Sequence, residues 1–134
     1  MVMIMFTQKI QEKERTQRRF FFRVDCDIPL KFTLVQKADV APLLSNNKFE
    51  GTVCNLSGGG LKLMTDLDME INDRIVTSLR LGGENLFLMG EVRVKYGYSP
   101  AMHQYEYGLM FIGISQLEQD KIIKYLLRQQ TSLK

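Results

Sequence analysis

Between Phe22 and Ile112 the chain runs as six short segments of strand-like composition, separated by turn signals and with no helical pattern between them. Valine, isoleucine, threonine and aromatic residues fill the segments, and glycine, proline, asparagine and serine mark their ends. The predicted strands are Phe22–Val35, Phe49–Leu56, Gly60–Thr65, Arg74–Leu81, Leu86–Tyr96 and Tyr105–Ile112. Strands at this spacing predict an antiparallel barrel or sandwich.

Several connections between these strands are predicted from glycine and proline. Ala38–Asn47 is predicted to be a loop, Gly82 and Gly83 a hairpin turn, and Gly97–Gln104 a turn that contains Pro100. Pro29 lies inside the first strand, which predicts a kink or an edge position there.

The spacing of apolar residues changes from a strand period to a helical period at the C-terminal end. Ser115 precedes Glu118 by three residues, which is the spacing of a capping box. The apolar residues that fall on one helical face are Leu117, Ile122, Ile123, Tyr125, Leu126 and Leu127. We therefore predict one amphipathic helix over Ser115–Gln130, which packs against the strands or offers a face to a partner.

The size and composition are those of one globular domain. The chain has 134 residues, 45% of them hydrophobic and 25% charged, so it needs no disulfide scaffold to fold. No apolar run approaches the roughly 20 residues of a transmembrane helix. Met1–Phe6 is apolar but lacks the flanking features of a signal peptide. These features predict a cytoplasmic protein without a transmembrane segment.

The positive charge is concentrated at the N-terminal end. Residues 1–23 carry six basic and two acidic residues, a net charge of +4, whereas residues 24–134 have a net charge of −1. This asymmetry indicates that the N-terminal arm contacts an anion such as phosphate, nucleic acid or a lipid headgroup. A solvated basic tail would give the same pattern.

Metal and nucleophilic chemistry find little support in the sequence. Cys26 and Cys54 lie in apolar, strand-like surroundings, where a free cysteine usually behaves as a small buried hydrophobic residue. His103 is the single histidine, too few ligands for a zinc site. We therefore predict no metal site and no catalytic residues, and a non-enzymatic protein.

The first candidate binding cluster is basic and aromatic. It extends from Gln17 to Asp25 and contains Arg18, Arg19 and Arg23 around three phenylalanines. The planar guanidinium group pairs in bidentate fashion with phosphate or with the O6 and N7 edge of guanine. Arg19 and Arg23 would lie about 13 Å apart in an extended chain, so the segment must bend if both are to contact one compact ligand.

The second cluster is a polar pair followed by a glycine turn. Asn55 and Ser57 are two residues apart, so the strand period puts both polar side chains on one side near the turn, and Gly58, Gly59 and Gly60 follow. The glycines are expected where φ is positive or where another group approaches closely, and their exposed N–H groups could bind an anion. A plain hairpin turn would explain the same residues. Neither a phosphate-binding P-loop nor a nucleophile elbow is present.

Together the two clusters resemble the signature of the PilZ domain family. Arg19-x-x-x-Arg23 and Asn55-x-Ser57-x-x-Gly60 match its RxxxR and [D/N]xSxxG motifs, with asparagine at position 55 where aspartate is commoner. The strand Tyr107–Ile112 before an Ile/Leu-rich helix also resembles the end of this domain. The resemblance covers roughly residues 15–130.

This family consists of bacterial receptors for the second messenger cyclic di-GMP. The resemblance implies a mainly β fold, a six-stranded antiparallel β-barrel with a C-terminal α-helix, and no catalysis. It implies that the ligand contacts Arg18, Arg19, Arg23, Asp25, Asn55, Ser57, Gly58, Gly59 and Gly60, with cyclic di-GMP as ligand rather than cofactor. Arg18 would stack on a second nucleotide of an intercalated dimer.

The resemblance also implies how such a protein works. Residues 18–134 would form the PilZ domain, and residues 1–17 an arm or a linker from an upstream β-domain, as in flagellar-brake proteins of the YcgR type. Ligand binding would order the arm and change the surface offered to a protein partner from the flagellar, pilus or polysaccharide machinery. Motility, exopolysaccharide or biofilm functions would be regulated in this way. The protein could act as a homodimer.

Two other classes of function remain open from the sequence. A PilZ-like barrel that serves protein interaction and binds no nucleotide would share the fold. A small barrel that binds single-stranded nucleic acid through the Arg/Phe arm would share the basic cluster. However, the net charge of −1 beyond the arm gives no support to a nucleic-acid partner.

Overall fold

The computed structural model describes residues 23–36 and 48–132. The strands are β1 (Arg23–Gln36), β2 (Lys48–Ser57), β3 (Gly60–Thr65), β4 (Arg74–Leu81), β5 (Glu84–Ser99) and β6 (Gln104–Ile112), followed by the helix α1 (Gln116–Ser132). Arg18, Arg19, the arm of residues 1–17 and the predicted loop Ala38–Asn47 lie outside the described residues.

The six strands form one antiparallel sheet in the order β1-β2-β3-β6-β5-β4. Because β4 pairs with β1, the sheet closes into a barrel, and the predicted fold class is confirmed. Its interior is filled by alternate side chains of the strands, among them Phe32, Val53, Leu56, Leu63, Ile75, Leu79, Val92 and Tyr107.

Strand β1 has two different neighbours along its length. It pairs with β2 from Arg23 to Thr33 but with β4 only from Phe32 to Gln36. Pro29 faces Thr52 of β2 and precedes the part that pairs with β4. The residue without an N–H donor therefore lies where β1 is paired on one side, as the predicted edge position requires.

Strand β5 is longer than the sequence pattern predicts. It continues through Gly97 to Ser99, so the turn is shorter than the predicted Gly97–Gln104. Register shifts occur between Val92 and Val94 and between Lys95 and Gly97. Each bulge adds a residue and reverses the alternation. Val94 would continue the buried side formed by Leu86, Leu88 and Val92 in a regular strand, but it is exposed because of the first bulge.

The helix α1 begins with the predicted capping box. The Ser115 hydroxyl accepts a hydrogen bond from the Glu118 N–H at 3.1 Å, and the Glu118 carboxylate accepts one from the Ser115 N–H at 3.1 Å. The predicted apolar face is only partly correct, because Ile122 and Leu126 are buried whereas Leu117 and Leu127 are exposed. Within the described residues, no helix has the length and apolar character to cross a membrane.

Candidate functional site

A row of paired residues crosses the outer face of the sheet near the β2–β3 turn. Asp25 pairs with Asn55, Asn55 with Lys62, Lys62 with Gly108, and Gly108 with Val94. The row thus runs across β1, β2, β3 and β6 and ends at Val94 of β5. Asn55 of the second predicted cluster lies in this row, and the rest of the cluster follows at the β2–β3 turn, because β2 ends at Ser57.

An open cleft of about 280 Å³ lies along this row. Of the predicted site residues, those that line it are Arg23, Asn55, Ser57, Gly59 and Gly60. The sequence analysis missed three further polar or aromatic lining residues, Lys62, Arg93 and Tyr96. Among the described residues, the lining contains three cationic side chains and no carboxylate. The cleft is therefore suited to an anionic ligand.

Asn55 is oriented by a neighbour across the strand pair. Its side-chain N–H donates a hydrogen bond of 2.9 Å to the carboxylate of Asp25. Asp25 is exposed and does not line the cleft, so its described contact with the site runs through Asn55. The carbonyl oxygen of Asn55 is then the part of the amide that remains for a ligand's donors.

Ser57 organises the turn from inside. Its hydroxyl is buried, accepts hydrogen bonds from the N–H groups of Gly59 and Gly60 at 3.3 and 3.2 Å, and donates to the Gly60 carbonyl at 3.2 Å. The expectation that these two N–H groups are exposed for an anion is wrong in this structure. They are turned towards Ser57 because a buried N–H group needs an acceptor.

The glycines of the turn serve close approach and not an unusual backbone conformation. None of Gly58, Gly59 and Gly60 has a positive φ. A Cβ on Gly60 would overlap the backbone carbonyl of Leu109 on β6, whereas a Cβ on Gly58 would meet the Ile123 side chain of α1 at 3.2 Å. Gly58 thus packs against the helix and does not line the cleft.

Both basic residues that the sequence analysis missed form ion pairs with acidic side chains. Lys62 lies 3.6 Å from the carboxylate of Glu106, and its Nζ lies 4.8 Å from the ring centre of Tyr96. Arg93 forms an ion pair of 3.2 Å with Glu91, a buried carboxylate that Arg74 also contacts. Both basic side chains are partly exposed and lie in the wall of the cleft.

The two cysteines, expected to behave as small buried hydrophobic residues, are half-buried on the neighbouring strands β1 and β2. Burial, followed by the nearby Cys54, Asp25 and Asp27, raises the pKa of the Cys26 thiol to about 11. Burial likewise raises the pKa of Cys54. Such thiols are protonated at neutral pH and are poor nucleophiles. In residues 23–36 and 48–132, no group of three or more potential metal ligands is present.

Comparison with solved structures supports the fold. The motility inhibitor MotI/DgrA of Bacillus subtilis superposes with a TM-score of 0.62 at 17% identity, over 87% of this chain and 53% of that one. YcgR of Escherichia coli in complex with c-di-GMP gives 0.64 at 12% identity, over 87% and 47%. The isolated PilZ domain of that YcgR, with c-di-GMP, gives 0.57 at 16% identity, over 87% and 97%.

The chain thus spans about half the length of MotI/DgrA and of YcgR, and nearly the whole of an isolated PilZ domain. A comparison with curated proteins finds no match. Residues 17–128 match the PilZ domain family. This match covers most of the sequence, including both motifs and all six strands, and so confirms the resemblance. The chain belongs to the PilZ domain family.

Proposed function

We propose that this chain is a receptor for cyclic di-GMP and acts as a non-catalytic effector. The observation that carries the proposal is the cleft in which Arg23 of the RxxxR motif lies beside Asn55 and Ser57 of the second motif, with no carboxylate in the described lining. Membership of the PilZ family and the likeness to structures solved with c-di-GMP support it.

The chemistry of the cleft suits each part of this ligand. Cyclic di-GMP carries two phosphates, which a guanidinium such as that of Arg23 binds in bidentate fashion. The guanine bases present N–H donors, for which the carbonyl oxygen of Asn55 is an acceptor. The turn of Gly59 and Gly60 has no side chains, so a ligand can lie directly against the backbone.

The arm completes the site in this proposal. Arg19 would join Arg23 on the guanine edges and phosphates, and Arg18 would stack on a second nucleotide. The arginines repel one another, and ligand phosphates would offset that repulsion and order the arm across the barrel. The changed surface would act on a protein partner in the cytoplasm, in motility, polysaccharide or biofilm control.

Isothermal titration calorimetry of the full chain with cyclic di-GMP tests the binding. Arg23→Ala and Arg19→Ala are compared with Arg80→Ala, an exposed arginine of β4 outside the cleft, and cyclic di-AMP is the control ligand. We expect saturable binding of cyclic di-GMP, weakened at least about tenfold in the first two variants, because charged hydrogen bonds contribute about 1.5–3 kcal/mol, and unchanged in Arg80→Ala. No heat and no thermal shift would refute the receptor and leave a protein-interaction domain as the better explanation.

Two further measurements test separately whether the arm binds a second ligand and whether it becomes ordered on binding. Two ligands per chain, reduced to one by Arg18→Ala, would support the intercalated dimer, and one ligand per wild-type chain would exclude it. Trypsin cleavage after Arg18 and Arg19 should slow when cyclic di-GMP is present if the arm orders on binding. Equal cleavage rates with and without bound ligand would contradict the ordering.

A further inference from the structure

Tyr96 and Lys62 form a wall of the cleft that neither sequence motif contains. Lys62 follows Asn55 in the row of paired residues, and its Nζ lies 4.8 Å from the centre of the Tyr96 ring. The ring is 51% exposed, and both side chains line the same cleft as Arg23. A lysine and an aromatic ring therefore extend the site from β2 across β3 and β6 to β5.

The position of Tyr96 depends on local features of two strands. The register shift between Val92 and Val94 places Val94 on the outer face of the sheet. Tyr96 is itself the extra residue of the second shift, between Lys95 and Gly97, and lines the cleft on that face. Gly108 of β6 leaves room for its ring, since a Cβ there would lie 3.3 Å from Tyr96 Cε2 and 3.4 Å from its Oη. The ring thus lies across a bare stretch of β6, next to Lys62.

The Lys62 ammonium is shared between an aromatic ring and a carboxylate. Glu106 lies 3.6 Å from its Nζ, and both side chains of this ion pair are about one-third exposed. An exposed pair of this kind contributes little to stability, so the ammonium can turn towards a stronger anion in the cleft. A ligand phosphate would be such an anion.

We propose that Tyr96 and Lys62 bind cyclic di-GMP directly, Tyr96 by stacking on a guanine and Lys62 by pairing with a phosphate. The inference rests on the proposed function and adds to it a stacking surface and a cation on the side opposite Arg23. Asn55 would then contact the edge of a guanine while Tyr96 contacts a face. Stacking on an aromatic side chain is tolerant of base identity, so recognition of guanine remains with Asn55 and with the arginines that contact the guanine edges.

Calorimetric titration with cyclic di-GMP at two salt concentrations tests both roles. We expect Tyr96→Ala to raise Kd about tenfold or more, the usual effect of losing one stacked base, and Tyr96→Phe to change it less than about twofold. Lys62→Gln should raise Kd about threefold to tenfold and make binding less sensitive to salt, because one ion pair with phosphate is lost.

Matched controls lie on the same barrel. Tyr98→Ala removes a ring of similar exposure on β5 that packs on Tyr105 and does not line the cleft, and Lys31→Gln removes an exposed lysine of β1 outside it. Neither should change Kd. Thermal unfolding of each variant identifies any that fail to fold, and in that case upfield shifts of the Tyr96 ring protons in the titrated wild-type chain replace the substitution as the test of stacking.

The outcomes separate this inference from the proposed function. If the wild-type chain binds and Arg23→Ala weakens binding, but Tyr96→Ala and Lys62→Gln bind like wild type, the inference is wrong and the receptor stands. If Tyr96→Phe binds as weakly as Tyr96→Ala, stacking is overturned in favour of a role for the hydroxyl. A wild-type chain that does not bind cyclic di-GMP refutes the receptor and this inference together.

Discussion

The side-chain amide of Asn55 donates a hydrogen bond of 2.9 Å to the carboxylate of Asp25, its direct partner across β1 and β2. An ionised carboxylate can accept hydrogen bonds but cannot donate them, so the NH₂ group of Asn55 must be the part that faces Asp25. The carbonyl oxygen of Asn55 is then held as an acceptor for the cleft. In this way an asparagine presents the same kind of atom as the aspartate that is commoner at this position of the motif.

Replacement of Asp25 by asparagine should therefore weaken binding of cyclic di-GMP although Asp25 does not line the cleft. In Asp25→Asn the Asn55 amide loses its charged acceptor and can turn its NH₂ group to the ligand. We expect Kd to rise about threefold to tenfold, since hydrogen bonds to charged groups contribute about 1.5–3 kcal/mol and only part of this is lost. Titration calorimetry at pH 7 measures the change.

The exchanged pair is the control for this prediction. Asp25→Asn combined with Asn55→Asp restores an amide–carboxylate hydrogen bond and again gives the cleft an acceptor, so affinity should recover. Asp27→Asn, at an exposed neighbouring position in β1, should have no effect. If Asp25→Asn alone binds like wild type, Asp25 does not orient Asn55 in solution.

Ser57→Ala should destabilise the fold as well as the site. The Ser57 hydroxyl is the acceptor for the N–H groups of Gly59 and Gly60 in a buried turn. Removing it leaves two buried donors without this partner, which costs about 1–3 kcal/mol. Urea denaturation should show a loss of about 2 kcal/mol in the free energy of unfolding, against less than about 0.5 kcal/mol for Ser78→Ala, an exposed serine of β4. Equal losses in the two variants would contradict this role of Ser57.

The two glycines at the ends of the turn should differ sharply in their tolerance of alanine. In Gly60→Ala the added Cβ meets the Leu109 carbonyl of β6, and a backbone atom can move only if the strand pair moves. In Gly58→Ala the Cβ meets the end of the flexible Ile123 side chain at 3.2 Å. We expect a loss of about 3 kcal/mol or more for Gly60→Ala, as for overpacked sites, and less than about 1 kcal/mol for Gly58→Ala. The order of the two denaturation midpoints decides the prediction.

Strand composition and turn signals in the sequence predicted the fold well, and irregular backbone explains what they missed. The bounds of β3 and β4 are those predicted, because the extra residues at the register shifts lie in β1, β2 and β5 and not in these two short strands. Lys62 could have been found, since it lies two residues after Gly60 and thus on the outer side of β3. Tyr96 could not, because the register shift between Val92 and Val94 reverses the alternation before it and Tyr96 is itself the extra residue between Lys95 and Gly97.

The arrangement of the site motifs was likewise predicted only in part. The sequence placed Asn55 in the predicted strand Phe49–Leu56 and Ser57 directly after it. In the structure β2 extends to Ser57, and both residues line one cleft. It did not show that the Ser57 hydroxyl accepts hydrogen bonds from the N–H groups of Gly59 and Gly60, two and three residues along the chain. It could not show that Gly60 packs against Leu109 of β6. Long-range contacts of this kind leave no local pattern in the sequence.

The Cys26 thiol should resist alkylation until strongly alkaline pH. Its pKa is raised from 9.0 to about 11, chiefly by burial and further by Cys54, Asp25 and Asp27, so the reactive thiolate is scarce at neutral pH. Labelling with iodoacetamide, followed by mass spectrometry of the Cys26 peptide, should be slow in the folded chain at pH 8 and fast in urea. Comparable labelling of Cys26 in the two states would contradict the raised pKa.

The same shift predicts a pH dependence of stability with a definite sign. A thiol whose pKa is higher in the folded than in the unfolded chain binds its proton more tightly when folded. Its contribution to the free energy of unfolding is complete below about pH 9 and is lost between about pH 9 and 11. Other groups also titrate in that window, so the measurement is the difference between wild type and Cys26→Ala in urea denaturation from pH 7 to 11. Wild type should lose stability more steeply than the variant above pH 9, and parallel curves would show that the thiol is not shifted.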